Sequence, residues 1–203
     1  MIILPTTLHF KGERNYLQGG DIYDGLIAAL KEGELGELDG PIFLKMARFT
    51  RWQIEVHVNE GEATPTSPPN AVGHFRATIA GKLRLGWIME CERPVTDRRE
   101  FDESRITYNA TLSGEQISYA GHGESTPSEI AVALTKHLHN ALFPPQGRRW
   151  IVTGFDLSRP FEDRDKLAMA VRLAHNMSNR LTKSSVLSGE ETLGSLFFSM
   201  VER

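Results

Sequence analysis

The 203-residue chain is 40% hydrophobic and 24% charged, the make-up of an ordinary globular protein rather than a disordered or fibrous one. Its 23 basic and 26 acidic residues leave a formal charge of −3, so there is no long-range positive field to gather phosphate backbones, and nucleic acid is not an expected partner. The single cysteine, Cys91, excludes an internal disulfide and suits a reducing compartment, so a cytoplasmic location is expected; no stretch approaches the roughly 18 uninterrupted apolar residues of a membrane span, so no membrane partner is expected.

In chain order, Thr7 to Phe10 reads as a short strand, followed by a polar turn through Gly12 and Glu13. Asp21 is placed to cap a helix whose apolar residues, Ile22, Leu26, Ala29 and Leu30, fall at helical spacing, and glycines at 33, 36 and 40 end it. From Arg51 to Asn59 alternation is complete, with Trp52, Ile54, Val56 and Val58 on one face; Ile42 to Met46 continues that parity upstream, which predicts one long strand bent near Arg48 and Phe49. Gly61 to Asn70, with three prolines and no periodicity, reads as a surface loop.

Phe75, Ala77 and Ile79, and then Leu83, Leu85, Trp87, Met89 and Cys91, alternate on either side of Ala80-Gly81, a hairpin pattern that puts Cys91 on the apolar face. Ile106, Tyr108, Ala110 and Leu112 predict a strand that turns at Ser113-Gly114 and returns through Ile117 and Tyr119. Thr126-Pro127-Ser128-Glu129 is a capping box with proline in the first turn, opening a helix that carries Ile130, Leu134, His137, Leu138 and Ala141 on one face and stops at Pro144-Pro145. Trp150 to Phe155 reads as a strand covered on both faces, Asp163 to Leu181 as a helix, and Leu196 to Val201 as a final strand after a turn at Ser188-Gly189.

Phe10, Arg14, Tyr16, Ile22, Leu26 and Ala29 recur at a constant offset as Phe155, Arg159, Phe161, Leu167, Val171 and Ala174. The echo suggests an internal repeat spanning residues 7–58 and 150–201, and a pseudo-twofold between an N-terminal and a C-terminal β-α-β unit. The order of elements predicts one α+β domain over 1–203, a largely antiparallel sheet of long strands packed by about three helices. A helix wrapped by long antiparallel strands resembles the hotdog layout of thioester-handling proteins; the resemblance is one of layout alone, since no hotdog catalytic motif is visible.

Two groups of residues are candidates for chemistry. The loop from Gly121 to Thr126 joins a strand to a helix N-terminus, where backbone amides favour an anion, and His122 and Glu124 are placed to move a proton there; the same residues also serve an ordinary helix start. Arg14 and Arg159, each two residues before an aromatic and just before a predicted helix, have the geometry to grip a carboxylate or phosphate together with Tyr16, and equally to tie a turn to carbonyls or acids. No metal site is expected, because His137 and His139 lie about 200° apart on their helix, with His137 the core residue; His9 and His175 are isolated. No cofactor motif and no nucleophile elbow occurs, and Cys91 reads as a small core hydrophobe. The expectation is a small anionic or acyl-type ligand held in a cleft between sheet and helices, in a homodimer. The alternative is a non-catalytic homo-oligomeric adaptor that associates through its strand edges and the apolar tail of Phe197, Phe198 and Met200.

Overall fold

The computed structural model describes residues 1–59 and 67–202, so most of the loop expected over 61–70 lies outside the described residues. Two compact units are present, residues 1–101 with 156–160, and residues 102–155 with 161 onward.

The first unit contains β1 (Ile2–Pro5), β2 (Phe10–Lys11), α1 (Gly19–Glu32), β3 (Leu38–Met46), β4 (Trp52–Asn59), β5 (Ala71–Ile79), β6 (Lys82–Pro94) and β7 (Arg98–Arg99). Its sheet runs in the order β1-β4-β6-β5-β3, antiparallel at each pairing. Helix α1 buries the stripe Ile22, Leu26, Ala29 and Leu30 against β1, β3 and β4. Its cap is Gln18 rather than Asp21; Asp21 occupies the third helical position and accepts from the Gln18 N–H at 2.9 Å, the reciprocal half of a capping box.

Ile54, Val56 and Val58 are fully buried beneath this helix. The apolar set of β6 is on the other face. Trp87 and Met89 lie opposite His57 and Glu55, whereas Ile88 lies opposite Val56, so the core is supplied by Ile88 and by Gly86, where a Cβ would meet the Phe75 ring at 2.3 Å. Cys91 is accordingly half-buried, donating its thiol to the Gln53 carbonyl at 3.3 Å, and not a core residue. Ala80 (φ 48°) and Gly81 (φ 70°) form the expected two-residue hairpin turn.

Two strand expectations for this unit are corrected. The first strand is Ile2–Pro5, paired with Val58 to Glu55, and of the expected 7–10 segment only Phe10 lies in a strand, the two-residue Phe10–Lys11 paired with Arg98–Arg99 in a short parallel ribbon. Residues 42–59 are two strands, not one bent strand. β3 pairs with β5 and β4 with β1 and β6, because the chain leaves the sheet at Ala47 and is tied down by Arg48 and Thr50, both hydrogen-bonded to the Glu90 carboxylate.

The second unit contains α2 (Glu103–Tyr108), β8 (Ala110–Ser113), β9 (Gln116–Tyr119), α3 (Pro127–Leu142), β10 (Arg148–Leu157, whose last two residues belong to the first unit), β11 (Met169–Met177), β12 (Leu181–Ser188) and β13 (Glu191–Glu202). The sheet order is β10-β13-β12-β11-β9-β8. The Thr126 capping box opens α3 as predicted, with Thr126 Oγ1 accepting from Glu129 N and Glu129 from Thr126 N.

Here too the sequence reading needs correction. Ile106 and Tyr108 belong to helix α2, capped by the Asp102 carboxylate, which accepts from Ser104 N at 2.9 Å. The helix expected over 163–181 is a 3-10 turn (Asp163–Ala168) followed by strand β11. Met169, Val171 and Leu173 alternate inward there, and β12, which had no sequence signal of its own, pairs with β11 along its length. The echoed residues therefore occupy unlike elements: Ile22, Leu26 and Ala29 lie on a helix, Leu167 on the 3-10 turn, and Val171 and Ala174 on a strand. What does recur is the order of one helix followed by four long strands, α1 with β3 to β6 and α3 with β10 to β13. Together the units make an α+β fold dominated by antiparallel strands.

Candidate functional site

In the first unit a cavity of about 530 Å³ lies between the segment Pro5–His9 and helix α1. That volume falls within the range usual for small-molecule sites. The helix wall is a single stripe of Asp21, Asp24, Gly25, Ala28, Ala29 and Glu32, while Lys11 comes from β2, Arg93 from β6 and Arg99 from β7. Gly25 shapes this wall: a Cβ there would stand 2.8 Å from Leu8 Cδ2, so the glycine lets the Leu8 side chain lie against the helix.

The opposite wall is fixed by short bonds to β4 and β7. Thr6 Oγ1 donates to the Ile54 carbonyl at 2.6 Å. Phe10 N donates to the Asp97 carbonyl at 3.0 Å, which starts the β2–β7 ribbon and brings His9 Nδ1 to 3.7 Å from Asp97 Oδ2. Arg98 holds the turn after β2, its Nη1 donating to the carbonyls of Gly12 and Arg14. The ribbon's pairing of Lys11 with Arg99 is thus locked from both sides.

The electrostatics of the cavity divide in two. Lys11 Nζ lies 2.6 Å from Asp21 Oδ1, with the two side chains 15% and 6% exposed, so that cation is already matched by an acid. Arg93 and Arg99 remain as the cations at the wall; Arg93 also donates to the Thr6 carbonyl at 3.3 Å. His9 is the wall's imidazole, three-quarters buried and flanked by a carboxylate. Such a set can hold an anion through two guanidiniums and move a proton through one imidazole. Among the described residues no group of three His, Cys, Asp or Glu could hold a metal ion.

The residues singled out from sequence lie elsewhere than on this wall. Arg14 stacks over Phe101 at 5.6 Å, and Tyr16 packs against Phe49 at 4.8 Å between ring centroids. Arg159 donates to the Pro160 carbonyl at 3.2 Å, in a turn that leads into a 3-10 segment and a strand instead of a helix. His122 and Glu124 are exposed on the loop between β9 and α3 of the second unit. His9 was missed because the groups that give it a setting, Asp97 and the wall of α1, are remote in sequence and carry no common motif.

His139, not His137, is the buried histidine of α3: His137 is exposed and His139 has no accessible surface. Its Nε2 lies 3.1 Å from Ser184 Oγ and its Nδ1 3.4 Å from Thr182 Oγ1. Trp150 and Phe198 pack on the ring at 4.9 and 5.2 Å. Burial holds its pKa down at about 4, since no partner offsets the loss of hydration of the imidazolium. Ser184 is fully buried as well, so the pair is closed to any substrate and joins α3 to β12.

No family model matches the chain, and no curated protein matches it in sequence. Solved structures do match in fold. A pyran synthase domain from module nine of the sorangicin pathway superposes with a TM-score of 0.51 over 96% of this chain and 91% of that one, at 11% identity. The dehydratase domain of PpsC from Mycobacterium tuberculosis, solved in complex with C12:1-CoA, superposes with a TM-score of 0.52 over 92% of this chain and 85% of that one, at 6% identity. A protein from Alicyclobacillus acidocaldarius described as having the hot dog fold matches at TM-score 0.37 and 10% identity, over 91% and 86% of the two chains. The fold is thus of the hotdog kind seen in dehydratase domains.

Proposed function

We propose that the cavity of the first unit receives a small acyl-type ligand bearing an anionic group, with Arg93 and Arg99 taking the anion and His9 placed to move a proton at the bound acyl group. The observation that carries this reading is the cavity itself: Leu8, Gly25, Ala28 and Ala29 share its lining with Arg93, Arg99 and His9, whose Nδ1 stands 3.7 Å from the Asp97 carboxylate. Convergent polar groups beside an apolar wall are a usual feature of small-molecule sites; here Lys11, Arg93 and Arg99 share the lining with the acids Asp21, Asp24 and Glu32. Its occurrence in a fold shared with a dehydratase domain that holds an acyl-CoA supports the choice of ligand class.

Arg14 enters this reading from behind the wall. Its carbonyl anchors Arg98, the neighbour of Arg99, and its guanidinium shares the Phe101 ring with Lys11. Of the apolar tail that the adaptor reading invokes, Phe198 is buried in its own unit, while Phe197 and Met200 are half-buried.

The direct test is titration of the full chain with lauroyl-CoA by calorimetry. The reading expects saturable one-site binding that weakens in Arg99→Ala and in Arg93→Ala. Absence of binding, or binding indifferent to both substitutions, overturns it.

A further inference from the structure

We infer that Gln53 is a positioning residue that sets the height of His9 in the cavity by holding the backbone of Leu8. Gln53 lies where the β4–β6 ladder is irregular: the register passes from Trp52 opposite Pro94 to Ile54 opposite Glu90, so this one residue of β4 spans three of β6, which carries the bulge. Its side chain, 7% exposed, is turned onto the segment that forms one wall of the cavity.

Both ends of its amide are used on a single residue. Oε1 accepts from Leu8 N at 2.8 Å and Nε2 donates to Leu8 O at 2.8 Å. This is the pattern by which a neighbouring strand would hold Leu8, supplied instead by one side chain, and it fixes the plane of the peptide that leads into His9. On the far side the Leu8 side chain lies against Gly25, and one residue later Phe10 N is held by the Asp97 carbonyl. His9 is therefore suspended between two anchored residues. The Gln53 anchor is the only one of the two made by a side chain, and so the one a substitution can remove.

Gln53 does not line the cavity, so it acts on a ligand only through Leu8 and His9. Alanine would remove both bonds and leave the half-buried Leu8 N–H and C=O without these partners. Glutamate would keep the shape and the acceptor. As a carboxylate it has no hydrogen to give Leu8 O, whereas as a neutral acid it has one.

The inference rests on the acyl-ligand reading for its consequence, but not for its structural content, and the experiment separates the two. The full chain and the Gln53→Ala and Gln53→Glu variants are compared by NMR of the histidine rings and by lauroyl-CoA titration, with the His139 ring signals as the report on the integrity of the second unit. The expected result is a displaced His9 signal and about tenfold weaker binding in Gln53→Ala, with His139 unmoved. Gln53→Glu should show the same defect at pH 7 and return toward wild type in both readouts at a pH low enough to protonate the carboxyl. A wild-type His9 signal in Gln53→Ala overturns the inference, as does a Gln53→Glu defect that acid does not reverse. If Gln53→Ala does not fold, Gln53→Glu decides alone. Should the wild-type chain not bind lauroyl-CoA, the ligand reading fails while the His9 signals still decide the role of Gln53.

Discussion

Lys11 Nζ and Asp21 Oδ1 stand 2.6 Å apart in a nearly buried pair that joins the β2–β7 ribbon to the first turn of α1. Asp21 has a second duty, since its other oxygen accepts from Gln18 N. Removal of the whole carboxylate should therefore cost more than removal of its charge. Asp21→Ala loses the cap and strands the Lys11 ammonium, an expected destabilisation of about 2–4 kcal/mol. Asp21→Asn keeps an acceptor for Gln18 N and should lose less. Urea unfolding of both variants checks the order; equal losses would show that the cap bond contributes nothing.

Arg93 and Arg99 should act on charge and not on fold. Arg99→Ala is expected to weaken lauroyl-CoA by about tenfold while leaving affinity for lauroyl-pantetheine, which lacks the phosphates, nearly unchanged. The wild-type affinity for lauroyl-CoA should fall as salt rises from 50 to 300 mM, about the range over which such contacts are screened, and the Arg99→Ala slope should be shallower. Titrations of the two ligands at two salt concentrations decide the matter.

Gly25→Ala sets two effects against each other. The helix gains about 0.5–1 kcal/mol from losing a glycine, but the new Cβ would meet Leu8 Cδ2 at 2.8 Å and push that side chain off the helix. The expected outcome is near-neutral thermal stability with clearly weaker lauroyl-CoA binding, because the displaced atoms belong to the cavity wall. A variant that binds as the wild type does would show that the Leu8 contact does not shape the site.

Much of this architecture was legible in the chain. The Thr126-Pro127-Ser128-Glu129 capping box, the Ala80-Gly81 turn and the alternation from Ile54 to Asn59 each state a local rule that the fold obeys, whereas Trp52, expected on the same face as Ile54, is exposed and Gln53 is buried in its place. Residues 163–181 misled because Leu167, Ala170, Val171, Ala174 and Met177 satisfy a helical period while Met169, Val171 and Leu173 satisfy a strand period, and tertiary pairing with β12 decided between them. His137 was read as the core residue because the apolar face was centred on Leu134 and Leu138; Thr135 and His139 in fact complete it. The cavity could not be read at all. It depends on Gln53 reaching Leu8 and on Asp97 reaching His9, contacts that no local pattern announces.

His139 gives a pH dependence of known sign. Its folded pKa is held near 4, below the ordinary value of 6.5, by burial among Trp150, Phe143 and Phe198, with Ser184 and Thr182 as its polar neighbours. The unfolded chain binds a proton there below about pH 6.5 and the folded chain does not. This contribution is fully present above pH 6.5, is lost as pH falls toward 4, and amounts to about 3 kcal/mol across that window. Denaturant titrations at pH 7.0 and 4.5 should show the loss in the wild type and a smaller one in His139→Gln.

The central claim, that the first unit's cavity is the ligand site, is tested most directly by mapping lauroyl-CoA onto the full chain by NMR. The account predicts that backbone and side-chain signals of Thr7, Leu8, His9, Gly25 and Arg99 move with a common saturation curve. Shifts confined to His122, Glu124 and Arg159, or no saturable shifts at all, would contradict it.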